Sequence, residues 1–126
     1  MQSRLALTLA ALVAASPAIA EQLSGDRLRQ TIEGKTVYLS TPYGAELPLR
    51  YETGGSVTGD VSGFSLTAMF APRETGRWWI DGERLCQQWP TWYDGQQACF
   101  TIRLEGENSL SWIRNDGLSG TARIAG

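Results

Sequence analysis

The sequence contains no histidine. That absence removes Ser-His and Cys-His nucleophilic systems, histidine-ligated zinc and haem, and the usual general base near neutral pH. Other absences narrow the field. There is no G-x-S-x-G, no Walker-type phosphate loop, no G-x-G-x-x-G and no D-x-[DN]-x-[DN]-G calcium spacing. Cysteine occurs only twice and never as Cys-x-x-Cys, so a thioredoxin-like redox role lacks its motif. Lysine occurs once, at Lys35. No apolar run reaches the roughly 20 residues that a membrane-spanning helix needs.

The first twenty residues read as a signal peptide. Arg4 supplies the positive start, Leu5 to Ala15 is an uncharged and mostly apolar run, and Ala18-Ile19-Ala20 is an A-x-A cleavage site. The expectation is a periplasmic or secreted protein that begins at Glu21 after cleavage. Residues 21–126 then form one domain of 106 residues, with ten basic against thirteen acidic groups. A net negative, interspersed charge argues against nucleic acid and against anionic membrane surfaces as partners. Two cysteines in an exported chain predict one disulfide, Cys86 to Cys99. Closing that loop contributes about 3 kcal/mol in the chain-entropy treatment. That is a large share of the roughly 5–15 kcal/mol by which domains are stable.

One helix signal opens the domain. Ser24 is an N-cap, Asp26 complements the first turn, Gly34 is a stop, and Leu23 and Leu28 can form a hydrophobic staple. Everything after it reads as strands and turns. Thr36 to Ser40, Leu47 to Glu52, Ser56 to Val61 and Leu66 to Phe70 are short and β-compatible, with Pro48 restricting the second to an edge or to its start. Arg77 to Ile80 and Glu83 to Gln87 flank Asp81-Gly82, a two-residue type I′ hairpin signal. Ala98 to Leu104 alternates, with Phe100, Ile102 and Leu104 on one face. Ser109 to Arg114 and Leu118 to Ile124 complete the series. Gly-rich turns at this spacing predict a mainly β fold, an antiparallel meander that is either a barrel or a tightly curled sheet.

Four of the five tryptophans and both cysteines lie between Trp78 and Cys99. The pattern Gly76-Arg-Trp78, Leu85-Cys86, Gln88-Trp89 and Cys99-Phe100, followed by a glycine turn and Asp116-Gly117, resembles small exported proteobacterial proteins of unknown function described as lipocalin-like or calycin-like barrels. The resemblance covers roughly Gly76 to Ile124 and implies a small exported calycin-like barrel. It brings no catalytic residues. In true lipocalins a similar Gly-x-Trp lies on the first strand, whereas here it is in mid-chain.

Within this stretch Trp89, Trp92 and Tyr93 form an aromatic loop above the predicted disulfide. Such rings stack on sugar faces or line an apolar pocket, with Gln88 and Gln96, and beside them Gln87 and Gln97, as amide partners. The competing reading makes Trp78, Trp89 and Trp112 core, with Trp92 and Tyr93 evenly balanced between core and surface. Trp78 and Trp79 are adjacent on a strand and must point to opposite faces. Carboxylates offer the remaining route to an enzyme: Asp81, Glu83, Asp94, Glu105, Glu107 and Asp116. Five of them sit at or beside turns, which backbone geometry explains. The leading expectation is therefore a non-enzymatic binding or interaction module, with no cofactor, no metal and no catalytic residue. Its partner is a small molecule, a glycan or an exported protein. The alternatives are a carboxylate-dependent hydrolase of cell-wall glycans and an inhibitor of an exported enzyme.

Overall fold

The computed structural model describes residues 20–42, 44–62 and 71–126. Residues 1–19 of the leader read at residues 1–20, and the strand read at Leu66 to Phe70, lie outside them. The elements in order are β1 (Glu21–Gln22), α1 (Gly25–Ile32), β2 (Lys35–Ser40), β3 (Glu46–Tyr51), β4 (Ser56–Asp60), β5 (Arg73–Asp81), β6 (Arg84–Gln88), β7 (Ala98–Leu104), β8 (Ser109–Arg114) and β9 (Ser119–Ala125).

Strands β2 to β9 run as a meander, each antiparallel to the next, and β9 returns to pair with β2 from Thr36 opposite Ala125 to Leu39 opposite Ala122. The product is a closed eight-stranded barrel, the size whose interior side chains just fill. Alternation sets the inside. On β7, Ile102 faces in while Arg103 faces solvent; on β8, Leu110 faces in while Ile113 faces out. Among the aromatics, Tyr51 and Trp78 meet edge to face at 5.7 Å, and the Trp78 indole N–H donates to the Glu52 carbonyl at 2.8 Å. Trp79 points outward as alternation requires, opposite Cys86 and beside the Arg77 guanidinium.

The helix closes one end. Ser24 stands at the N-cap in extended conformation, though its side chain makes no capping bond. The Gly25 amide donates to the Gly82 carbonyl at 2.8 Å, which ties the helix start to the β5–β6 hairpin. Leu23, Leu28 and Ile32 are wholly buried in the barrel core. Each such side chain is worth about 1.5–3 kcal/mol of transfer free energy, so a polar residue at any of the three would unseat the plug. The chain leaves the helix through Gly34 at φ 73°, whose amide donates to the Tyr51 carbonyl. Strand β1 fills a gap at the same end. The ladder of β6 on β7 stops at Arg84 opposite Thr101, and Gln22 and Glu21 take over opposite Arg103 and Leu104.

Two local expectations need correction or refinement. The β5–β6 loop is Gly82-Glu83 rather than Asp81-Gly82, because Asp81 pairs with Arg84 as the last rung. Positive φ is found at Gly82 (58°) but not at Glu83, so the turn has the II′ pattern, which wants glycine first. Pro48 lies in a strand that is central to the barrel, yet the ladder with β4 begins only at Leu49. At Pro48 the strand is a local edge, so the missing amide donor leaves no β4 rung unmade. No helix among the described residues is long and apolar enough to cross a membrane.

Candidate functional site

The end opposite the helix is closed by the segment between Gln88 and Ala98. Its neck is Cys86 and Cys99, directly opposed on β6 and β7 and joined by a disulfide on the outer face of the barrel. From that neck the chain turns inward. Trp89 is buried, with its ring centroid 4.6 Å from that of Trp92. The Trp92 ring lies over Gly59 of β4, in the space a Cβ there would need, and its indole N–H donates to the Ala71 carbonyl at 2.9 Å. Both tryptophans therefore form the second plug of the barrel.

A buried carboxylate holds this plug in place. Glu74 follows the inward alternation of β5 with Gly76 and Trp78. It accepts the Thr91 amide at 2.8 Å, the Trp92 amide at 3.0 Å and the Thr91 hydroxyl. Burial alone would raise its pKa, but the donors from Thr91 and Trp92 together outweigh it and hold the carboxyl below its ordinary value.

Beyond Trp92 the backbone does something costly. Tyr93 (φ 57°, ψ 33°), Asp94 (φ 57°, ψ 29°) and Gly95 (φ 67°) are three successive left-handed residues, and the first two are not glycine. Left-handed backbone costs an L-residue roughly 1–2 kcal/mol, somewhat less for aspartate. The loop is over-determined around them. The Gln96 amide donates to the Tyr93 carbonyl at 3.0 Å, and the Gln88 side chain spans from Arg77 to the Gly95 carbonyl with bonds of 2.9 Å each. The outcome is an aromatic ring set at the barrel mouth: Tyr93 is 48% exposed, and its inner side borders the barrel cavity.

Arg114 lies over the Tyr93 ring at 5.2 Å from its centroid and is gripped by Asp116, Nε to Oδ1 at 2.9 Å and Nη2 to Oδ2 at 2.6 Å. Those two bonds, helped by the Leu118 amide, draw the Asp116 carboxyl down to about 2. Between the Tyr93 loop and the β8–β9 turn runs a groove of about 290 Å³, with Asp94, Gln96, Gln97 and Asn115 on its walls. Inside the barrel, Tyr51, Gln87, Phe100 and Trp112 border a cavity of about 40 Å³, which Tyr93 also lines. There the Tyr51 hydroxyl donates to Gln87 Oε1 at 2.7 Å. That space suits a few waters, each needing roughly 10–15 Å³, and is far below the about 300–1,000 Å³ of small-molecule pockets.

The five candidate residues thus separate. Trp89 and Trp92 are structural, and Gln88 is a brace across the loop. Tyr93 and Gln96 are exposed and line the groove. Of the two further glutamines, Gln87 is buried against Tyr51 and Gln97 joins the groove. Asp81, Glu83, Glu105 and Glu107 lie at the helix end of the barrel; Asp94 and Asp116 lie at the other. Asp94 and Asp116 share the groove, but both Asp116 oxygens are engaged by Arg114 and its proton is lost at any ordinary pH, so it cannot serve as a general acid. No group of three or more potential metal ligands gathers among the described residues.

Sequence reasoning missed Glu74, Arg114 and Asn115. Glu74 was within reach: extending the β5 alternation two steps back from Trp78 puts it inside. Comparison with known proteins gives no match to a family model, to a curated protein or to a solved structure.

Proposed function

We propose that this chain is an exported, non-enzymatic binding module whose contact surface is the barrel end that carries Tyr93. The observation that carries the reading is the left-handed run at Tyr93 and Asp94. Strained backbone persists where the surroundings over-determine it, and such places cluster at functional sites. Here Glu74, Gln88 and the Cys86–Cys99 bridge supply the restraint, and the exposed Tyr93 ring is what it presents. A loop already ordered loses little entropy when it binds. Tyr93, Ile113 and Leu118 are the exposed large apolar side chains among the described residues. All three stand next to Arg114: Ile113 in sequence, Leu118 through its carbonyl, which accepts the Arg114 amide, and Tyr93 through its ring.

Export is supported by the leader pattern at residues 1–20 and by a disulfide that needs an oxidising compartment to form.

The test is native mass spectrometry of protein purified gently from an exporting host. Wild type should have the mass of residues 21–126 less two hydrogens and carry a stoichiometric adduct, which Tyr93→Ala removes while the protein stays folded. An adduct that survives Tyr93→Ala places the site elsewhere and sinks the assignment. Trp92→Ala is the wrong variant for this purpose, because it removes half of the plug.

A further inference from the structure

Resting on that reading, we infer that the groove between Tyr93 and Asn115 binds a neutral, hydroxyl-rich ligand, a sugar ring of a glycan. The lining carries Asp94, Asp116 and one cation, Arg114, whose guanidinium is already held by both oxygens of Asp116. What remains is the Asp94 carboxylate and a net charge of −1 from these three groups, which repels phosphate, sulfate and carboxylate ligands.

The lining is also too polar for an apolar ligand. Besides Tyr93 and Ala98 it presents amides and carboxylates, and the exposed Ile113 and Leu118 lie outside it. A sugar matches this mixture. Each hydroxyl both donates and accepts, carboxylates accept from hydroxyls, and amides do both. The apolar C–H face of a pyranose packs on an aromatic ring, and Tyr93 is half exposed at the groove edge.

Two of the amides are fixed beforehand. Asn115 Oδ1 accepts the Cys99 backbone amide at 3.2 Å while the Asn115 backbone amide donates to the Cys99 carbonyl at 2.8 Å, which turns the side-chain NH₂ of Asn115 away from that strand. Gln97 Nε2 sits 3.5 Å from Cys99 Sγ. Cys99 thus holds both amides, Asn115 through its backbone and Gln97 through a weak N–H···S contact. Polar groups held by a supporting shell are what a specific site requires. The groove volume of about 290 Å³ sits at the lower limit for small-ligand sites, which suits one ring of a chain that continues into solvent.

The experiment is an amide-shift NMR titration of the oxidised mature protein with neutral oligosaccharides (chitotetraose, cellotetraose, maltotetraose), and with polygalacturonate as the anionic control. Shifts confined to residues 93–97 and 114–117 are expected with at least one neutral sugar and not with the control. Tyr93→Ala should weaken that binding about tenfold, while Tyr93→Phe keeps it, since the stacking face and not the hydroxyl is needed. No shift with any neutral sugar, shifts only with the anionic control, or binding untouched by Tyr93→Ala each overturns the sugar assignment. A Tyr93-dependent adduct of another chemistry, a protein included, would then leave the binding module standing without its glycan.

Discussion

Adding one methyl group at Gly59 should dislodge the Trp92 plug. A Cβ on Gly59 would overlap the end of the indole, 2.7 Å from Cη2, and stand 3.0 Å from Leu49 Cδ2. The ring can yield only by giving up its bond to the Ala71 carbonyl and its contact with Trp89. A neutral hydrogen bond is worth about 0.5–1.5 kcal/mol, and an aromatic pair about 0.5–1.5 kcal/mol beyond its area. Alanine recovers about 0.5–1 kcal/mol relative to glycine in a strand. Gly59→Ala should therefore cost about 1–2 kcal/mol, within the range for overpacked cores. At a urea m-value of about 1.5 kcal/mol/M this moves the midpoint down by roughly 1 M. The deciding measurement is a double-mutant cycle with Trp92→Leu, which removes the obstructing ring. The double variant should be more stable than the sum of the single losses by at least about 1 kcal/mol. Additivity within about 0.5 kcal/mol would mean that the two residues do not compete for space, and the packing argument would fail.

Other outcomes follow from the same end of the barrel. Glu74 has a depressed pKa, so its contribution is complete above the unfolded value of 4.5 and fades as pH falls through the lower folded value. Glu74→Gln should lower the urea midpoint at neutral pH and flatten the loss of stability below about pH 5. An acid limb identical to wild type would refute the role. Asp94→Gly relieves left-handed strain and should raise stability by about 0.5–1 kcal/mol; thermal melts that fall instead would show the strain to be absent. Replacing Cys86 and Cys99 together by alanine should cost about 3 kcal/mol and broaden the amide signals of residues 93–97, which NMR of the double variant reads directly.

Much of the fold could be read from the residues. The alternation that puts Phe100, Ile102 and Leu104 on one side marks the faces of β7. The helix was legible from the Ser24 cap, the Leu23–Leu28 staple and the Gly34 stop. Barrel closure was not legible, since nothing local marks Thr36 and Ala125 as partners. The hairpin slipped by one because Asp-Gly fits two turn types, and only the ladder decides which residue comes first. At the site, Tyr93 and Gln96 were identified as types without their geometry. The left-handed run has no signal beyond Asp94-Gly95, and Arg114 looked like the end of a strand until the fold set it over Tyr93.

The ladder between β2 and β9 has a kinetic consequence. Thr36 cannot find Ala125, nor Gln22 find Arg103, until almost the whole domain has been synthesised. Neighbouring strands can zip as hairpins early, but the seam that turns a curved ribbon into a barrel spans nearly the full domain, and such non-local closure makes folding slow, on the millisecond-to-second scale. Until the seam forms, β2 and β9 are both bare edges, open to pairing with the same strands of another copy. The interval before closure is therefore when this protein is most exposed to misassembly, and any factor that holds those two edges apart from other chains would govern its yield.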